Sequence, residues 1–137
     1  MKATPIIIII ILTIFLITDC EKSGTAQNKI ELGTPASLRT RTVYSVTNSL
    51  SVKIDSIKDS RCPQMLECFW AGNVGLYFNI NTNNSRIDTL IYFQMPLNNP
   101  FYIDNYKLEV LGVDPHSERG ELINQEDYLV SFIIKNK

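Results

Sequence analysis

The residues with the most chemistry to offer stand close together. Cys62, Met65 and Cys68 follow one another as C-x2-M-x2-C, a set of soft sulfur ligands suited to Cu(I) so long as both thiols stay reduced. Oxidised, the same two cysteines close the loop Cys62-Pro63-Gln64-Met65-Leu66-Glu67-Cys68, a staple worth about 2–3 kcal/mol through the unfolded chain. Zinc is not expected, because no second cysteine pair or histidine cluster completes four ligands. The one histidine, His116, precedes Ser117 and Glu118, residue types of a catalytic triad. Triad roles come from spatial rather than sequential neighbours, and no nucleophile-elbow pattern is present. His116 therefore reads as a solvated loop residue, and the expectation is a protein that is not an enzyme, with no catalytic residues and no cofactor.

Whether the sulfurs are ligands or a staple depends on compartment, and the N-terminus speaks to that. Lys2 precedes an apolar run from Ile6 to Ile17, interrupted only by Thr13, and Cys20 follows. At about 1.5 Å per helical residue, twelve residues cover about 18 Å of a hydrocarbon core near 30 Å thick. The pattern is a secretory signal, with Lys2 as its charged start. Ile17-Thr18-Asp19-Cys20 is similar to the cleavage box of bacterial lipoproteins, with Asp19 departing from the small residue preferred before the cysteine. Residues 1–19 are thus read as a lipoprotein-type signal peptide and Cys20 as the lipidation site. An ordinary cleaved secretory signal and an uncleaved anchor are the alternatives.

The cysteine count supports this reading. Three cysteines are an odd number, and lipid on Cys20 leaves Cys62 and Cys68 as an even pair in an oxidising compartment. Cleavage removes 19 of 137 residues and leaves 118, enough for one domain with a core. With a formal net charge of −1 and no block of like charges, neither nucleic acid nor an electrostatic membrane patch is indicated. The expected partner is a membrane reached through the lipid, and the location is the bacterial cell envelope, on its periplasmic or outer-membrane side.

The elements that must position these residues are strands. Residues 20–28 are polar and unpatterned, a flexible tether, and the domain spans 29–137. Leu38, Thr40, Thr42 and Tyr44 alternate with polar or flanking residues, as do Leu50, Val52 and Ile54 after a turn at Thr47-Asn48-Ser49. Residues 73–93 read as a β-hairpin with the five-residue loop Asn81–Ser85, whose Asn83-Asn84-Ser85 sequon is taken as a turn. Pro96 and Pro100 punctuate the next connection. Tyr106, Leu108 and Val110 begin a strand whose irregular continuation through Leu111 and Val113 suggests a bulge. A charged loop from Asp114 to Asn124 and a last strand through Tyr128, Val130, Phe132 and Ile134 complete the chain. With no helical period outside the signal, the fold class is all-β, a single-domain two-sheet sandwich or else a small β-barrel.

Residues 59–73, DSRCPQMLECFWAGN, hold the only tryptophan, the cysteine pair, an arginine and a glycine within fifteen positions. Such a segment has a specified conformation. Trp70 is large enough to cover the disulfide or cap the core, Pro63 fixes φ in the loop, and Asp59 and Arg61 can pair across the turn. Arg61, Met65, Phe69 and Trp70 are the candidate binding residues. If Phe69 and Trp70 are exposed, they serve recognition; packed inward, they are local core. A stapled loop also suits protease inhibition, with Pro63 to Glu67 presented to a cleft. Tyr77, Tyr92, Tyr102, Tyr106 and Tyr128 could line a ligand surface or form cross-strand pairs.

Asp59-Ser60-Arg61-Cys62-Pro63 followed by Cys68-Phe69-Trp70-Ala71-Gly72-Asn73 resembles a D-S-R-C-P, C-x-W-x-G signature of uncharacterised bacterial exported and lipoprotein-like proteins. Tyr106-Lys107-Leu108 and Asp114-Pro115 are similar to the strand and turn that follow it there. The Cys20-Glu21-Lys22 start and the richness in Ile and Asn resemble lipoproteins of the Bacteroidota. The resemblance implies a small exported β-domain and carries no catalytic role with it. The functional expectation is an envelope-anchored, non-enzymatic binding or structural module, with copper handling through Cys62, Met65 and Cys68 as the alternative and protease inhibition third.

Overall fold

The computed structural model describes residues 28–94 and 100–137; the signal, most of the tether, the lipidation site Cys20 and Pro96 lie outside the described residues. The chain forms β1 (Ala36–Arg39), β2 (Val43–Thr47), β3 (Leu50–Asp59), β4 (Val74–Thr82), β5 (Arg86–Phe93), β6 (Phe101–Ile103), β7 (Tyr106–Asp114) and β8 (Leu129–Asn136). These make two antiparallel four-stranded sheets, ordered β2-β3-β4-β5 and β1-β8-β7-β6, which pack face to face as a sandwich and do not close into a barrel.

Alternation explains the core. Leu50, Val52 and Ile54 of β3, Leu76, Phe78 and Ile80 of β4, and Leu108, Val110, Phe132 and Ile134 of β7 and β8 are all buried between the sheets. The expected 73–93 hairpin is present as β4 and β5, with a shorter loop than expected, closed where the Thr82 amide donates to the Ser85 carbonyl at 2.8 Å.

The single alternating run from Leu38 to Tyr44 is two strands in different sheets. Between them Arg41 adopts a left-handed φ of 61° and its amide donates to the Ile54 carbonyl, while Thr40 is buried with its hydroxyl on the Gln125 carbonyl at 2.7 Å. The backbone crosses from sheet to sheet there without a glycine or proline to mark the place.

Two bulges shape one end of the sandwich. The expected bulge in β7 falls between Val110 and Gly112, and a second in β3 falls between Ile54 and Ser56. Each inserts one residue and flips the inward parity, so that Val113 and Ile57 turn into the core. Beyond the bulges, the ends of β3 and β7 bring Asp59 and the Val113 carbonyl to the same place.

Candidate functional site

The segment between β3 and β4 continues their hairpin beyond the sheet. Ser60 and Cys62 donate backbone hydrogen bonds to Asn73 and Ala71 at 2.9 and 2.8 Å, making a narrow stem. Gly72 makes the stem possible. Its φ is +71°, and a Cβ there would stand 1.9 Å from the Ser60 carbonyl oxygen, closer than any side chain allows. Above the stem Cys62 and Cys68 are joined as a disulfide, with their Cα atoms 5.9 Å apart. The loop inside it is a tight turn, with the Leu66 amide donating to the Pro63 carbonyl at 3.1 Å.

Arg61 anchors this loop to the sandwich. Its Nε and Nη2 engage the Asp59 carboxylate at 3.0 to 3.1 and 2.6 Å, and its Nη1 and Nη2 also donate to the carbonyls of Val113 and Pro115 at 2.7 and 2.9 Å. Both charged side chains are only 13% exposed, so the pair is buried rather than a surface contact. Tyr128, itself buried, donates its hydroxyl to Asp59 at 3.2 Å. Burial pushes the Asp59 carboxyl up, but the hydrogen bonds and charge of Arg61, helped by Tyr128, outweigh it and hold the group below its ordinary value. The Tyr128 phenol is pushed up to about 12 by burial and by the Asp59 charge beside it. The guanidinium of Arg61 is thus spent on holding the loop in place.

The 115–124 loop braces the cysteine loop from the side. Gln64 and Met65 donate their amides to the carbonyls of Ser117 and Glu118 at 3.0 and 2.8 Å, and His116 Nε2 donates to the Cys62 carbonyl at 2.7 Å. The Glu121 carboxylate accepts the amides of Glu118 and Arg119, which with its own amide and the Ser117 hydroxyl lower its pKa to about 2. A cavity of about 320 Å³ lies where the two loops meet, lined by Asp59, Arg61, Pro63, His116 and Tyr128 among others. Gln125 closes its base like a short strand, accepting from the Ile57 amide at 2.7 Å and donating to the Ile57 carbonyl at 2.8 Å.

His116, Ser117 and Glu121 share that cavity, yet their hydrogen bonds run elsewhere. The histidine serves the Cys62 carbonyl, and the serine joins Gly120 and Glu121. His116 is half-buried and braces the loop rather than standing solvated as expected. The closed disulfide occupies both sulfurs of the C-x2-M-x2-C set, and Met65 projects into solvent. The backbone of Gln64 and Met65 is committed to the neighbouring loop, where a protease-inhibitor loop presents an extended strand to its target.

What the scaffold holds outward is apolar. Phe69 is 99% exposed and Trp70 74%, packed edge to face with ring centroids 5.9 Å apart, and Met65 and Leu66 are exposed beside them. Leu122, on the bracing loop at the same end, is fully exposed. Trp70, at this exposure, does not cap the core. Arg61 and the aromatic pair are therefore brought together by sequence but divided by role, one inside and one out. Gln125 and Tyr128 complete the site from 68 and 69 residues away along the chain, and nothing in their sequence surroundings announces it.

Of the remaining tyrosines, Tyr77 and Tyr92 are exposed on the outer face of β4 and β5, with Tyr92 opposite Gly75. Tyr102 is exposed under the Lys137 ammonium. No family model, curated protein or solved structure matches this chain.

Proposed function

We propose that this chain is a lipoprotein of the bacterial cell envelope, anchored through lipid on Cys20, whose β-sandwich is a non-enzymatic binding module that uses the Cys62 to Trp70 tip as its contact surface. The observation that carries the reading is the exposure of Phe69 and Trp70 on a loop that is held rigid. Large aromatic side chains in water are unfavourable surface, and a disulfide, a buried ion pair and cross-loop hydrogen bonds keep them there. A contact surface ordered in advance loses little entropy on binding. The disulfide also suits an oxidising compartment, as export implies.

The test is photo-crosslinking in cells with the full-length chain, Phe69 or Tyr102 being replaced in turn by benzoylphenylalanine. The reading expects adducts from position 69, to protein or lipid, and none above background from Tyr102, also exposed but on the sheet away from the tip. No adduct at position 69 would refute it.

A further inference from the structure

We infer that the tip seats in the interfacial layer of the bilayer itself, with Phe69 and Trp70 as the inserted side chains; the inference rests on the binding reading above and names its partner. The first support is chemical. Amphipathic tryptophan and apolar phenylalanine and leucine are the side chains that gain from the headgroup and upper acyl region. The tip offers Phe69, Trp70, Met65, Leu66 and Leu122 together at one end of the sandwich. The opposite end is built of hydroxyls and amides, Thr47, Asn48, Ser49, Asn83, Asn84 and Ser85. Among the described residues, the most exposed apolar side chains gather at the tip end.

The second support is where the described chain begins and how much precedes it. The Ser45 amide donates to the Asn28 carbonyl, and Lys29 bridges Ser45 in parallel fashion. β2 runs away from the cysteine loop, so the chain at Asn28 arrives from the cysteine-loop side. Ser45 lies opposite Ser51, eight residues along β3 from Asp59, a distance of about 26 Å at about 3.3 Å per residue. Cys20 precedes Asn28 by eight residues, whose extended reach is about 26–29 Å. The extended tether thus brings Cys20 level with the end of β3 at the base of the stem; Trp70 stands about three residues, roughly 10 Å, farther out, and a domain leaning on that end brings anchor and aromatic pair to one surface.

Charge selects the lipid. Apart from the Asp59–Arg61 pair, the two loops carry Glu67, Glu118 and Glu121 against Arg119. This acidic balance fits neutral, zwitterionic headgroups and disfavours anionic ones.

Trp70 is the sole tryptophan of the chain, so its emission reports one point. The full chain, with its native N-terminus, is reconstituted into phosphatidylcholine vesicles containing brominated acyl chains. Quenching of Trp70 is expected, strongest for bromines nearest the headgroups, and is expected to fall in the paired variant Phe69→Ser, Leu122→Ser and in vesicles rich in phosphatidylglycerol. An unquenched Trp70 would overturn the inference, as would a paired variant quenched as fully as the parent; stronger quenching with phosphatidylglycerol would overturn the headgroup assignment. Mass spectrometry of the same sample separates the two readings. Acylated Cys20 without quenching removes the bilayer contact and leaves the anchor, whereas quenching without acylation does the reverse.

Discussion

Replacing Arg61 with alanine should unfold the loop from its base and lower global stability by about 3 kcal/mol. Breaking a buried ion pair by removing one partner costs about 3–5 kcal/mol, because the other charge stays buried and unpaired. The low end applies here, since Asp59 would keep the Tyr128 hydroxyl and the residue 61 amide as donors. The Val113 carbonyl, which receives Arg61 Nη1 at 2.7 Å, would lose that donor as well. At roughly 4 °C per kcal/mol for a domain of this size, the melting temperature should fall by about 12 °C. Urea unfolding followed by far-ultraviolet circular dichroism is the appropriate assay, because an exposed Trp70 reports unfolding poorly. The double variant Asp59→Asn, Arg61→Ala should recover more than about 1 kcal/mol of the loss, since it removes the stranded carboxylate. A cost below about 1 kcal/mol for Arg61→Ala, or two substitutions that simply add, would refute the claim that this pair is the loop's buried anchor.

Gly72→Ala should be more damaging than the usual glycine substitution, by more than the ~1 kcal/mol of left-handed strain, because its Cβ would collide with the Ser60 backbone; thermal melts of purified variants check this, and a neutral effect would contradict the close stem. Changing both Cys62 and Cys68 to serine should cost about 2 kcal/mol by the entropy of a seven-residue loop, measured by urea titration, and leave the sandwich folded. Glu121 supplies a pH dependence. Its folded pKa of about 2 lies below the ordinary 4.5, so its contribution is complete above pH 4.5 and is lost as pH falls toward 2. Protection of the Glu118 and Arg119 amides, measured against their intrinsic exchange rates at each pH, should fall across that window in the parent and be low throughout in Glu121→Ala.

The sandwich was legible because a strand with one buried face writes its period into the sequence, as Val74 to Ile80 and Tyr128 to Ile134 do. Period alone could not show that the run Leu38 to Tyr44 changes sheets, since Arg41 adopts a left-handed turn without any of the residues that usually mark one. Nor could it place the β3 bulge, which lies in an unbroken polar and apolar mixture at Asp55 and Ser56. Within the site, the staple followed from cysteine parity and the Asp59–Arg61 contact from proximity. The depth of that pair did not, because its burial depends on Val113, Pro115 and Tyr128, which are remote in sequence. The direction of Trp70 was the hardest point. An aromatic beside a disulfide can face either way, and nothing in the neighbouring residue types selects the outward direction that Phe69 and Trp70 take.

The central claim, that the Cys62 to Trp70 tip is a surface in contact with something in the envelope, is tested most directly by hydroxyl-radical footprinting of intact cells against the purified protein. The peptide carrying Met65, Leu66, Phe69 and Trp70 should be oxidised readily when purified and be protected several-fold in cells. Tyr92 and Tyr102, exposed on the sheets, should react alike in both. Equal oxidation of the tip in the two samples would contradict the account.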